Sequence, residues 1–148
     1  MRVVPDTNLI IKGLLFRGDG REIINLAYSK KIELFGSQNS FDEIKRVVYY
    51  ENFKKYLEKE IYSPEKLLLA YKLLINIRTL NPKYRNLKIV KDDEDDDEFI
   101  RIAKTVGAKI IISSDKHLKK LEKIDDIRIV EPHIFLEIYP SISGKTFF

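Results

Sequence analysis

Residues 108 to 115 read AKIIISSD, a stretch centred on a continuous apolar run of the kind a strand shows when both of its faces are buried. Such a strand needs a layer of structure on each side, and the flanking sequence offers helices to build them. A helix is signalled from Asp96 to Val106 and stopped by Gly107, and the short helical stretch "KHLKKLEK" follows the strand. The same alternation governs the rest of the chain. Val3 and Val4 form a short strand ending at Pro5 and Asp6, after which Asn8 or Thr7 caps a helix through Leu9, Ile10, Leu14 and Leu15. "FRGDG" breaks the chain, "REIINLAYSKK" reads as a helix, "IELFGS" as a strand, and "SQNSFDEIKRVVYYENF" as a helix capped by Ser37 or Ser40. Residues 53 to 80 are expected to be helical, with Ser63 as the N-cap of a second piece and Pro64 at its first position. "LKIV" is the next expected strand, "IRIV" the last, and Pro132 opens a final helix in "EPHIFLEIY".

Strands alternating with helices imply parallel crossovers, hence a three-layer α/β/α sandwich around a central, mainly parallel sheet of four to five strands. At 148 residues, 44% of them hydrophobic, the chain amounts to about one domain. Residues 1–140 are expected to form it, and 141–148, "SISGKTFF", to be a tail that is disordered or packs as an apolar arm on a partner.

The absence of cysteine excludes a disulfide scaffold, a thiolate zinc site and a cysteine nucleophile. No signal peptide or membrane-length apolar run stands in the sequence, so a cytoplasmic protein is expected. Charge is unevenly spread. Asp92 through Glu98 are seven acids in a row, and without them 16 acidic side chains face 27 basic ones. A basic body with one concentrated acidic spot suits a polyanion held by the body while cations sit at the spot. A solvated Lys-rich surface would give the same sum.

Asp6 and Asp115 each follow a strand, and "LKIV" leads directly into the acidic run. Ligands of open parallel sheets bind beyond the carboxyl ends of the strands, so all three groups of acids are expected on that rim. Ordinary turn capping is the plain alternative for either Asp alone. At about 100° per residue, Phe99, Ile102, Ala103 and Val106 define the inward face of the following helix. Asp95 and Asp96 flank that face, whereas Asp97 points away beside Arg101 and Lys104 and is expected to be solvated, as is Glu98. Helix-dipole complementarity favours one or two first-turn acids by about 0.3 to 1 kcal/mol each, which leaves most of the run unexplained. A hard divalent cation would relieve the repulsion. A calcium EF-hand loop is excluded. Starting at Asp92 it needs Gly at 97 and Glu at 103, where Asp97 and Ala103 stand; starting at Asp93 it meets Glu98 and Lys104 instead. Glu43 lies at the margin of the apolar face made by Phe41, Ile44, Val47 and Val48; Glu51 lies on the same face, and periodicity leaves both open.

"VVPDTNLI", "SQNSFDEIKRVV" and "DDEDDDEFIRIAKTVGAKIIISSDKHL", in that order, resemble the PIN-domain ribonucleases, with the toxin components of VapC-type toxin–antitoxin systems as the nearest branch. The resemblance runs from Arg2 to about Pro132. It implies a metal-binding quartet of Asp6, Glu43, Asp96 and Asp115, with Asp96 preferred to Asp95 because it stands seven residues before Ala103. Asn8 and Ser113 match positions that support the metal cluster or the attacking water. Glu94 departs from the pattern, standing where many relatives have Pro. Mg²⁺ or Mn²⁺ is the implied cofactor, and RNA cleavage to a 5′-phosphate and a 3′-hydroxyl the implied reaction. A cognate antitoxin and a homodimer are the expected protein partners.

Lys12, Arg17, Arg21, Lys45, Arg46, Lys116 and Lys119 are candidates for holding the RNA backbone. His117 and His133 are expected at the surface and not as ligands. Aromatics in "VVYYENFKKYL" are read as core or dimer contacts in preference to base-stacking platforms. The competing expectation is a PIN-like module that binds RNA or protein without turnover. A haloacid-dehalogenase-type phosphatase would want a second Asp where Asn8 stands, and a receiver domain would carry paired acids after its first strand.

Overall fold

The structure is a computed structural model that describes residues 1–59, 63–90 and 94–143, apart from the side chains of Lys59, Glu94 and Asp95. Its strands are β1 (Arg2–Pro5), β2 (Glu33–Gly36), β3 (Ile75–Ile77), β4 (Ile110–Ile112), β5 (Lys123–Ile124) and β6 (Ile127–Val130). They form one sheet in the order β3-β2-β1-β4-β6-β5, parallel throughout except for the β5–β6 edge pair. The central register sets Val3 beside Ile110 and Leu34, and Pro5 beside Ile112.

The helices are α1 (Thr7–Leu15), α2 (Asp19–Tyr28), α3 (Gln38–Val48), α4 (Glu51–Lys59), α5 (Pro64–Leu74), α6 (Glu94–Val106), α7 (Lys116–Lys119) and α8 (Pro132–Ile142). Successive strand residues face opposite layers. Val3, Leu34, Ile110, Ile112 and Val130 join one buried core with Ile10, Ile23, Ile44, Leu57, Leu67 and Phe135, from α1 to α5 and α8. Val4, Phe35, Ile111 and Ile129 join a second core with Phe99, Ile102 and Ala103 of α6 and Leu118 of α7. Helices therefore cover both faces, as the apolar run in β4 requires. Gly107, at φ +71, ends α6 in a conformation that suits glycine.

Three assignments differ from the sequence reading. The stretch 53–80 is not helical to its end: α5 stops at Leu74 and the β-branched Ile75 and Ile77 form β3 beside β2. "LKIV", residues 87–90, is not a strand. The backbone N–H groups of Ile89 and Val90 donate to Asp97 Oδ1 at 2.8 and 2.7 Å, so a carboxylate takes donors that a ladder would have used. "KHLKKLEK" is helical only over Lys116–Lys119, and its end begins β5, which turns into β6 through Asp125 and Asp126 with Asp125 at φ +52. With β3 and β5 added and 87–90 removed, the sheet has six strands. α8 continues to Ile142, while residues 144–148 of the expected tail lie outside the described residues.

Candidate active site

Strand order reverses around β1, which has β2 on one side and β4 on the other. A crevice opens at the carboxyl ends of the strands at such a switch point. Asp6 leaves β1 there and is the N-cap of α1, a role the sequence reading gave to Thr7 or Asn8; its Oδ1 accepts from Leu9 N at 2.8 Å. Its Oδ2 accepts from the fully buried Ser113 hydroxyl at 2.6 Å. Ser113 Oγ in turn accepts from the backbone N–H of Asp115 at 3.0 Å. Asp115 caps α7, its Oδ1 accepting from His117 N at 2.8 Å and Leu118 N at 3.4 Å. Ser113 thus links the acids that follow β1 and β4.

The other two acids arrive from helices. Ser37 caps α3 after β2 and closes a reciprocal capping box with Ser40, which starts the helix that carries Glu43. Glu43 Oε2 accepts from the Thr7 hydroxyl at 2.9 Å. Asp96 lies in the first turn of α6 and is buried. Asp6, Glu43, Asp96 and Asp115 all line one cavity of about 120 Å³, together with Thr7, Asn8 and Phe99. Glu51, the competitor of Glu43, is exposed on α4 and pairs with Lys55 at 3.7 Å. Asp92 and Asp93, and the side chain of Asp95, lie outside the described residues.

Burial raises the Asp6 carboxyl above the ordinary aspartate value; hydrogen bonds from Ser113, Leu9 and Ser114 pull it down, and the Asp115 charge adds to the rise. Tyr71 of α5 meets Ser40 Oγ of α3 at 3.1 Å. Burial pushes the Tyr71 phenol up to about 12, against the Ser40 hydrogen bond and with help from the Glu43 charge, so it stays protonated.

Two expectations about the run are overturned. Asp97 is not solvated: it is 1% exposed and fastens residues 89 and 90 to α6. Glu98 is also buried, accepting from Ser37 Oγ at 2.5 Å and pairing with Arg101 at 3.3 Å. Helical phase reports only which side of α6 faces the sheet. It carries no sign of the non-helical segments that wrap the first turn.

A larger cavity of about 700 Å³ shares Asp6, Asn8 and Asp115 with the acidic one and is lined by Lys12, Arg17, Arg21 and Lys116. Arg21 is committed to the end of α1, donating to the carbonyls of Gly13 at 2.7 Å and Leu14 at 3.2 Å. Lys119 pairs with Glu131 at 2.8 Å. Lys45 is exposed, and Arg46 borders a separate cavity beside Glu43. His133 is exposed and lines the rim of the large cavity; His117 is half-buried.

The PIN-domain family model matches residues 2–117. The chain belongs to the PIN-domain family. PIN domains are typically metal-dependent nucleases acting on RNA or DNA, and the match spans β1 through the start of α7, hence all four acids of this PIN domain. No curated protein matches the chain. Among the described residues, no three acidic or imidazole side chains are gathered into a ready-formed metal cage. The donor set nevertheless suits a hard divalent ion: four carboxylates reach one small cavity, and the buried Asp6 charge would be relieved by a cation. Thr7, which holds Glu43, was visible in the sequence only as the middle residue of "DTN".

Proposed function

We propose that the protein is a Mg²⁺- or Mn²⁺-dependent endoribonuclease and the toxin component of a toxin–antitoxin pair. The observation that carries this reading is the gathering of Asp6, Glu43, Asp96 and Asp115 around one cavity at the switch point of the sheet. Asp6, Glu43, Asp96 and Asp115 would hold one or two divalent ions, which would supply a water of lowered pKa, a charge for the scissile phosphate and stabilisation of the leaving oxygen.

The protein's own contribution is orientation. Leu9 N and Ser113 Oγ each fix one of the two oxygens of Asp6. Thr7 fixes Oε2 of Glu43, and the start of α7 fixes Oδ1 of Asp115. Asn8, exposed at the rim and shared by the two cavities, is set to orient water or a phosphate oxygen. Lys12, Arg17 and Lys116 border the adjoining cavity and hold the RNA backbone, giving binding a salt dependence. Neither histidine is needed as a base. Cleavage leaves a 5′-phosphate and a 3′-hydroxyl.

Exposed Tyr49, Tyr50, Leu69 and Leu73 give α5 and the α3–α4 turn an apolar surface suited to a homodimer, or to a cognate antitoxin. A monomeric mass at micromolar concentration would count against the dimer. The nuclease reading is tested by Mn²⁺-dependent cleavage of RNA by wild type and by Asp96→Asn. Cleavage by the wild type, lost in the variant, supports it. RNA or protein binding with no cleavage by the wild type is the result a non-catalytic PIN-like module would give.

A further inference from the structure

Four cavities form a chain along the carboxyl edge of the sheet. The large one beside Lys12, Arg17 and Lys116 shares Asp6 and Asp115 with the acidic cavity, which shares Glu43 with a cavity of about 260 Å³. That cavity in turn shares Asn39 and Glu98 with one of about 280 Å³ at the end of β3, bordered by Arg78 and Arg85. On this far side Glu98 is paired with Arg101 and held by Ser37, and Arg46 lines the same cavity as Asp42 and Glu43. Arg78 and Arg85 are exposed, and neither pairs with a carboxylate among the described residues.

Both arginines sit on anchored backbone. Arg78 N donates to Gly36 O at 2.9 Å, and its guanidinium lies 5.3 Å from the ring centroid of the buried Phe35. The turn before Arg85 is tied to α6 by Asn81 N donating to Thr105 Oγ1 at 3.1 Å. A guanidinium packed against an aromatic ring and bordering an open cavity suits a phosphate.

We infer that Arg78 and Arg85 form a second phosphate-binding station, so that a single-stranded RNA is gripped on both sides of the bond to be cut. This inference rests on the nuclease reading and names its substrate. β3 lies two strand spacings from β1, about 10 Å, which is about three stacked nucleotides of one strand. The scissile phosphate must enter a cavity of about 120 Å³ while its neighbours lie on either side, which a flexible single strand does more readily than a stiff duplex.

The test is fluorescence anisotropy with labelled RNA in EDTA, where cleavage is silent. Wild-type affinity should rise at least ~10-fold from single strands of about 4 to about 14 nucleotides. Arg78→Ala/Arg85→Ala should lose that gain, and its log K against log salt slope should flatten by about 1.4, two phosphates' worth on a single strand. Melting of the variant checks that it is folded. Equal affinity and slope for variant and wild type at both lengths would overturn the station. Equal binding of a hairpin duplex, or of polyglutamate, would overturn the substrate class. If the wild type shows the length-dependent gain but never cleaves RNA, the nuclease reading fails and the binding track stands.

Discussion

The acids that follow β1 and β4 and the acids that begin α6 look alike in sequence but are built on different terms. Asp6 and Asp115 each stand where a strand gives way to a helix, cap that helix with one oxygen, and are joined through Ser113. The two positions follow from the backbone alone. At the start of α6, three consecutive acids have three different tasks: Asp96 faces the cavity, Asp97 fastens residues 89 and 90, and Glu98 clasps Ser37 and Arg101. Charge density in the run is therefore a poor guide to ion binding. Through Glu98 and Ser37 the run also couples α6, which carries Asp96, to the cap of α3, which carries Glu43.

The comparison breaks most sharply at the cavity acids. Asp6→Asn and Asp96→Asn should each lower Mn²⁺-dependent cleavage by at least ~10³-fold, about 4 kcal/mol of transition-state stabilisation, with the fold retained. Initial rates on a labelled RNA check this, and a variant with full activity would remove that acid from the site.

Asp97→Ala should act on stability instead. It leaves the Ile89 and Val90 N–H groups without their acceptor, at about 1 to 3 kcal/mol for each that stays buried, and for a chain of this size each kcal/mol lowers the melting temperature by roughly 2 to 4 °C. A melting temperature equal to wild type would show that 87–90 is held by something else. Glu98→Gln leaves neutral acceptors where a carboxylate held Ser37 and Arg101, so a smaller cost of about 1.5 to 3 kcal/mol is expected, with Mn²⁺ affinity weakened because the amide holds the Ser37 cap less firmly. Calorimetric titration separates the two effects. Loss of stability with unchanged Mn²⁺ affinity would show that the clasp does not reach Glu43.

The smallest effect concerns pH. The carboxyl of Asp6 is raised in the folded state, chiefly by burial, so its stabilising share is present at low pH and is lost as pH rises through the raised value. Asp6→Asn keeps an N-cap acceptor and carries no charge. In EDTA it should equal or exceed wild type in melting temperature at pH 8, and the difference should shrink as the medium is acidified. A difference that grows on acidification would contradict the burial account.

Much of this was legible in the sequence, and the exceptions have physical causes. The β1–Asp6–α1 and β4–Ser113–Asp115 units follow from apolar runs that end in polar residues, and Gly107 marks the end of α6. β3 was hidden because three residues, Ile75–Ile77, continue the apolar spacing of the helix before them. β5 was hidden because its turn uses Asp125 and Asp126 in place of glycine. "LKIV" has the composition of a strand, but its N–H groups are taken by a side chain seven and eight residues further on. The buried tasks of Asp97 and Glu98 depend on partners at residues 37, 89 and 90 that no local pattern connects to α6.

Asp6, Asp96 and Asp115 are the proposed holders of a divalent ion at the carboxyl edge of the sheet, and Asp97 and Glu98 are not. A crystal soaked in Mn²⁺ and measured at the manganese absorption edge tests it directly. An anomalous peak bridging Asp6, Asp96 and Asp115, with Glu43 at its margin and Asp97 still bonded to Ile89 and Val90, is the predicted result. An empty cavity with the carboxylates splayed apart, or a peak on Asp97 or Glu98, would contradict it.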